Sequence, residues 1–405
     1  MASLIHELLE ASHLCDFDTI PELVSFHASR AGLSDLRIYL ADRQQALLRR
    51  LPHTPDVLGV EALSVDRTLA GLAFRNVTMV GPYRTLEEEA AGIPHQFWLP
   101  LLDGTERLGV MGIRSDDLST DAEARMRCLA IVVSMLIVGK RSHSDSYSRI
   151  TRTHPMTLAA EVQWNLLPPL AFANESVVVG AALEPAYEVA GDAFDYALSG
   201  RSIYLSIFDA MGHDTAAGLT ASIAIGSWRN NRRQAMGLAD ISVAIDKDVA
   251  EQFNGARFVT GVLAELDIVT GMLIWVNRGH PTPLVIRGGR WVTALERPTT
   301  IPMGFRLNEA PEEYRFQLEP GDRLLLFTDG ILEARDPEGR MFGLDRFVDY
   351  VTRHAISGLS APETLRRLMR SVLKYQRGRL QDDAAVLLTE WHGKPSRKLP
   401  TTLGM

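Results

Sequence analysis

SIYLSIFDAMGHD, residues 202–214, is the stretch on which the rest of the chain is read. Ile203, Leu205 and Ile207 alternate with Tyr204, Ser206 and Phe208, a pattern that predicts a strand buried on at least one face. It ends on Asp209, and Ala210-Met211-Gly212-His213-Asp214 turns the chain into a helix rich in small residues. A carboxylate at the end of a buried strand is held rigidly at a rim. Alone, it is most simply a cap for the next turn or helix. Its weight comes from recurrence: RLLLFTDG (323–330) ends a buried run on Asp329, and QDDAAVLL (381–388) opens one after Asp382-Asp383.

Working outward, 405 residues suit two to three domains. A hydrophobic fraction of 46% with 23% charged residues is that of an ordinary globular protein. Met1 to Glu10 carries acidic residues and no basic segment, unlike a signal peptide. The longest apolar run, Leu129 to Val138, is too short to span a membrane, so no membrane partner is expected. Two cysteines, Cys15 and Cys128, offer neither a disulfide framework nor a cysteine metal site, and a cytoplasmic setting is expected. A net charge of −8 argues against nucleic acid as a partner.

Upstream, residues 3 to about 31 repeat apolar positions with helical spacing, broken near Asp16 to Asp18. Leu36 to Leu40 and Ala46 to Leu51 read as strands, Leu69 to Phe74 as a helix, and Val77 to Val80 as a short strand stopped by Gly81-Pro82. QFWLPLL (96–102) and LGVMGIR (108–114) form a hairpin about Asp103-Gly104, and residues 121 to about 140 read as an apolar helix. TLAGLAF, WLPLLDGTERLGVMGIRSDD and the long last helix together resemble a GAF domain over residues 1–140. The resemblance implies a sensory or dimerising module, either with a small-molecule ligand or with a purely packing role. The apolar last helix makes a homodimer the expected state.

Residues 141–156 are polar and hydroxyl-rich and read as a connector. Leu158 to Leu167 reads as a helix stopped by Pro168, with Leu158, Val162, Asn165 and Leu166 on one side, so 141–170 is taken as linker and transmitter. From Val177 the chain is strand-rich. Val177 to Ala182 is one strand, and another starts at Asp192. Helices run to about Met236 and over Ile241 to Phe253. Hairpins turn at Thr270-Gly271 and Gly288-Gly289, two helices lie near 343–352 and 361–377, and a last strand covers Ala384 to Thr389. Hairpins interleaved with helix pairs indicate the α+β class, a β-sandwich flanked by helices.

Asp192, Asp209, Asp329 and the Asp382-Asp383 pair thus sit at strand ends or turns. Together they would surround hard cations. Oxygen-only ligands select Mg²⁺ or Mn²⁺ over zinc, and two such ions support in-line hydrolysis of a phosphoester without a covalent nucleophile.

Six ordered motifs, EVQWNLLPP, EVAGDAFD, IFDAMGHD, VNRGHPTPLVI, LEPGDRLLLFTDGILEARDPEGRMFG and QDDAAVLL, resemble the metal-dependent serine/threonine phosphatases (PPM, or protein phosphatase 2C, superfamily) of the bacterial SpoIIE/RsbU branch. The resemblance spans 158–391; the phosphatase domain is drawn at 171–392 and is followed by a flexible tail at 393–405. It implies metal roles for Asp192, Asp209, Asp329 and Asp382, with Asp383 as the alternative to Asp382 and the Ala210 carbonyl as a further ligand. Asp192, Asp209 and Asp329 are the implied catalytic set, with two Mn²⁺ or Mg²⁺ ions as cofactors. Gly191 and Gly212 would let the backbone approach the ions. His213 would touch water or substrate, or else simply pack in its turn; Asn277, Gly279 and His280 read as structural. Ala190 and Ala193-Phe194 depart from the family in packing only. Asp214 and Arg278 depart from it in charge: Asp214 would alter metal affinity, and Arg278 would bind phosphate. The implied substrate is a phosphoserine or phosphothreonine protein, foremost an anti-sigma-factor antagonist in a partner-switching pathway. The rivals are a non-catalytic pseudophosphatase and a GAF small-molecule receptor whose second domain is a scaffold.

Overall fold

The computed structural model describes residues 2–52, 61–189, 191–306, 311–378, 380 and 382–393. The expected tail at 393–405 and Ala190 therefore fall almost wholly outside the described residues. The chain divides between His154 and Pro155 into two units. Among the described residues no helix is long and apolar enough to cross a membrane.

In the first unit α1 (Ala2–Ser12) and α2 (Ile20–Ser29) precede β1 (Ser34–Ala41), β2 (Leu47–Arg50) and β3 (Ala62–Ser64). Then come α3 (Leu69–Asn76), β4 (Val80–Tyr83), α4 (Leu86–Ala90), β5 (His95–Asp103), β6 (Glu106–Ser115), α5 (Thr120–Arg141) and α6 (Asp145–Thr151). The strands form one antiparallel sheet in the order β3-β2-β1-β6-β5-β4. Alternation assigns its faces: Ile38 and Leu40 pack with Val24, Met126 and Val133 of the helices, while Tyr39 points the other way into a cluster with Ala70 and Phe74 of α3.

Two readings change here. Val77 is not a strand residue but the left-handed cap of α3 (φ 55°), and β4 runs through Gly81-Pro82 instead of stopping there. Proline is tolerated because β4 is an edge strand whose outer side needs no ladder donor. Within the connector, residues 145–151 form α6, because Ser144 caps it and Ile150 is buried in the first unit's core.

The second unit opens with α7 (Leu158–Leu166), β7 (Ala171–Ala173), β8 (Val177–Glu184), β9 (Asp192–Ser199), β10 (Ser202–Ala210), α8 (Thr215–Arg232) and α9 (Leu238–Phe253). It continues with β11 (Val259–Asp267), β12 (Met272–Arg278), β13 (Leu284–Arg287), β14 (Trp291–Ala294), β15 (Tyr314–Gln317) and β16 (Arg323–Phe327). Last come α10 (Asp329–Glu333), α11 (Gly343–Ile356), α12 (Ala361–Tyr375) and β17 (Ala384–Trp391). Two antiparallel sheets, β15-β12-β11-β10-β9 and β14-β13-β16-β17-β8-β7, face each other. Their shared core holds Phe194, Ile203, Leu205, Ile207, Val262, Leu324, Leu326, Ala385 and Leu387. The outer face of the first sheet carries Ala193, Phe208 and Leu263 against α8 and α9. That of the second carries Leu325, Val386 and Leu388 against α11 and α12. This is the expected α+β sandwich flanked by helices.

The buried Asp195 carboxylate pins α8 to β9, pairing with Arg229 at 2.6 Å and Arg232 at 2.9 Å. Arg229 also donates to the Leu166 carbonyl at 2.6 Å, at the end of α7. Helix α7 buries Ala159, Ala160, Gln163 and Trp164; of the four residues its spacing sets on one side, Leu158, Val162 and Asn165 are exposed and Leu166 is half-buried. Trp164 Nε1 donates to the Ala186 carbonyl at 2.6 Å, and Thr157 N–H to that of Tyr187 at 2.9 Å. Helix α7 is thereby tied to the segment that leads into Asp192.

Candidate active site

Ile203, Leu205 and Ile207 point into the sandwich, and the two-residue period carries Asp209 to the same face at the end of β10. Asp209 stands opposite Asp192 on β9 and opposite Thr260 on β11. Cross-strand partners share a face, so two carboxylates and a hydroxyl form one row at the rim. From the opposite sheet, Leu324 and Leu326 face inward, Thr328 follows, and Asp329 opens α10. Asp382-Asp383 leads into β17, which pairs with β16.

Thr328 fastens the two sheets: its Oγ1 donates to Asp192 Oδ2 at 2.5 Å and accepts the Ala385 N–H at 2.8 Å. Asp383 is buried, and its Oδ2 accepts the Gly191 N–H at 2.7 Å, securing the turn before Asp192. Asp382 is exposed, and its Oδ1 accepts the Asp383 N–H at 2.9 Å. Two glycines are required by close approach. A Cβ on Gly191 would lie 2.8 Å from the Ala210 carbonyl oxygen and 2.9 Å from that of Gly212. A Cβ on Gly330 would lie 1.8 Å from the Asp383 carbonyl oxygen, which only its removal permits.

Burial and then mutual repulsion hold Asp192, Asp209 and Asp329 away from ionisation. Burial, then the charges of Asp209 and Asp383, push Asp192 well above the usual range. Burial, then Asp329, Asp382 and Asp383, push Asp209 up to about 7. Asp329 is raised by burial, Glu333 and Asp382. Among the described residues, none of Asp192, Asp209, Asp329 and Asp382 pairs with an arginine or lysine. Nor are three carboxylate, imidazole or thiol groups already gathered in a group that could hold a metal ion. Asp192, Asp209, Asp329 and Asp382 stand near enough to repel one another, offer only oxygen and lack a cationic partner among the described residues, which suits hard divalent cations in donor type and in charge.

The departures in charge find other uses. Asp214 is the N-cap of α8, its Oδ1 accepting the Ala217 N–H at 2.8 Å, and its Oδ2 pairs with Arg257 at 2.7 Å. Arg278 is buried and donates to the Ile301 carbonyl at 2.8 Å and Ser242 Oγ at 3.1 Å, so it stands away from solvent and is not a free phosphate ligand. Asn277 and His280 form the expected structural loop, closed by two bonds of 2.9 and 2.8 Å. Burial pushes the His280 imidazole down to about 3, and its Nδ1 meets Thr260 Oγ1 at 2.8 Å. His213 is exposed in its turn. Sequence reasoning missed Thr260 and Thr328. Thr328 directly precedes Asp329, a signal the sequence does carry, whereas Thr260 enters only through strand pairing with Asp209.

Residues 199–392 match the family described as Stage II sporulation protein E (SpoIIE). The chain is 24% identical over 232 residues to the phosphoserine phosphatase RsbU of Bacillus subtilis, covering 57% of this chain and 68% of that protein. It is 23% identical over 208 residues to the phosphoserine phosphatase RsbP of the same organism, covering 50% of each. It is 25% identical to the protein IcfG of Synechocystis, of which it spans 34%. Thus the chain spans between 34% and 68% of these relatives' lengths. Among solved structures, the SiaA-PP2C domain of Pseudomonas aeruginosa aligns with 21% identity and a TM-score of 0.48, covering 57% of this chain and 94% of that one.

Proposed function

We propose, from the match of residues 199–392 to the family described as Stage II sporulation protein E, that this chain is a metal-dependent phosphoserine and phosphothreonine protein phosphatase. The observation that carries the reading is that Asp192, Asp209, Asp329 and Asp382 lie at strand ends or turns, near enough to repel one another, with no cationic partner among the described residues. Asp192, Asp209, Asp329 and Asp382 would hold two Mn²⁺ or Mg²⁺ ions, with the Ala210 carbonyl as a further oxygen. Asp382 is preferred to Asp383 because Asp383 is already committed to Gly191. When bound, such cations neutralise phosphoryl charge and acidify water near neutral pH. The protein's own part is placement: the Asp209–Asp192 register, the Thr328 bond and the Gly191 turn hold the carboxylates in one orientation.

The substrate we favour is a phosphorylated anti-sigma-factor antagonist in a cytoplasmic partner-switching pathway. RsbU and RsbP are named phosphoserine phosphatases, which supports a phosphoprotein. Purified chain with Mn²⁺ should release phosphate from a phosphoserine peptide. No release at any divalent-ion concentration would leave the pseudophosphatase reading in its place.

Residues 1–140 are read as a GAF-like sensory and dimerisation module, α7 as its transmitter, and the working state as a homodimer. Leu158, 68% exposed, and Val162, 42% exposed, form an apolar strip on a helix fastened to the approach to Asp192. Val162→Glu should change turnover of a phosphoprotein about 5- to 150-fold, the range of ordinary coupling energies. Unchanged rate and unchanged oligomeric state would make α7 a passive spacer.

A further inference from the structure

Resting on the metal-dependent phosphatase reading, the structure gives a task to one hydroxyl at the rim. We propose that Thr260 is a positioning residue of the cation site: its Oγ1, oriented by the buried imidazole of His280, is an added neutral oxygen that helps Asp192 and Asp209 retain a divalent ion.

Strand register puts Thr260 there. It stands opposite Asp209, as Asp209 stands opposite Asp192, so the three share the inner face. Beneath them on the same three strands lie Phe194, Ile207 and Val262, all fully buried. Ala264 and Leu266 continue the inner face of β11. Packing alone therefore favours valine at position 260, which has the shape of threonine and no hydroxyl to satisfy.

The hydroxyl is held from behind. Thr260 Oγ1 lies 2.8 Å from Nδ1 of His280, a residue only 4% exposed. Burial keeps that ring neutral, so it carries a single N–H. Nε2 has no partner at hydrogen-bond length among the described residues, and the backbone of Phe327, at the end of β16, favours a proton on the ring. With the proton on Nε2, Nδ1 is the acceptor and Thr260 the donor. The hydroxyl proton is then directed into the core, and the lone pairs of Oγ1 face the rim beside Asp209.

The loop that carries His280 is fixed at several points. The His280 N–H and carbonyl both bond the Asn277 side chain, at 2.8 and 2.9 Å. Arg278 ties the loop to Ile301 and Ser242. Gly279 has φ +67°, and a Cβ there would lie 2.9 Å from Pro302 Cγ, so the turn admits no side chain. A buried imidazole with one unpaired nitrogen costs folding free energy, which an apolar residue at 280 would avoid. Thr328 makes the contrast: it donates its proton to Asp192 from the opposite sheet. Thr260 turns its proton away from the carboxylates, which leaves an oxygen acceptor where a hard cation is to be held.

The test is Mn²⁺ binding, measured by calorimetry on the full chain at pH 7.5 and read independently of turnover. Thr260→Val should weaken Mn²⁺ binding about tenfold, the lower end of what supporting residues of a metal site contribute, while Thr260→Ser keeps wild-type affinity. The metal-free melting temperature should not fall in Thr260→Val. His280→Phe should weaken binding as much as Thr260→Val, and the double variant no further, because both act through one oxygen. If His280→Phe does not fold, the comparison of valine with serine at position 260 decides alone. Wild-type affinity in Thr260→Val, or an equal loss in Thr260→Ser, would overturn the role of Thr260 and leave the carboxylate site standing. A wild type that binds no Mn²⁺ would overturn it together with the metal-dependent reading on which it rests.

Discussion

Asp209→Asn is expected to lower turnover by at least about a hundredfold while leaving the protein folded, the size of loss that disturbing a metal-binding shell brings. Asp209 stands in the middle of the row, opposite Asp192 on one side and Thr260 on the other. Asparagine keeps the volume and one oxygen but removes the charge that would retain a divalent ion. The same exchange should stabilise the metal-free protein at neutral pH. Asp209 titrates near 7 in the fold, against the ordinary carboxylate range when unfolded, so between about pH 4 and pH 7 the folded state binds more protons. Its contribution is therefore favourable at low pH and is lost as pH rises through that window. Thermal unfolding in chelator at pH 5 and pH 7.5 checks this: the wild type should lose more stability than Asp209→Asn. Equal slopes, or wild-type activity at saturating Mn²⁺, would refute the role given to Asp209.

Chelation by EDTA should abolish activity, and Mn²⁺ or Mg²⁺ should restore it while zinc does not. The motive is the all-oxygen set of Asp192, Asp209, Asp329, Asp382 and the Ala210 carbonyl, which has no imidazole or thiolate to favour zinc. Cation binding should also raise the melting temperature, since a ligand at a hundred times its Kd stabilises the folded state by about 2.7 kcal/mol. The rise should be larger at pH 7.5 than at pH 5, because the raised pKa values of Asp192, Asp209 and Asp329 let protons compete with the ion at the lower pH. Activity that survives exhaustive chelation would point to a covalent mechanism.

Much of the fold was legible in the sequence because burial leaves a period. The alternation of Ile203, Leu205 and Ile207 placed Asp209 on an inner face, and the hairpins about Gly271 and Gly288-Gly289 are where their turn residues put them. What escaped were elements too short or too polar to show a period, such as β7, β15 and α6. The strand through Gly81-Pro82 escaped for a different reason: proline is harmless only at an edge, and edges exist only in the assembled sheet.

At the site, the sequence by itself determined which acidic residues stand at strand ends, for which residue type and local period suffice. Why Gly191 and Gly330 must be glycine was decided by carbonyls that the fold brings against them. Only the tertiary structure decided what each charge does. Asp214 and Arg278 carry charges that local reading assigned to metal and phosphate, yet one caps α8 and holds Arg257 while the other is buried against Ser242 and Ile301. Asp382 and Asp383 are adjacent and identical in type, and they separate only because Gly191, 192 positions before Asp383, brings its N–H to one of them. A carboxylate's role depends on what lies within a few ångströms of it, because Coulomb and hydrogen-bond energies fall off with distance in space and not along the chain. The partners that decide these roles come from strands and helices far apart in sequence.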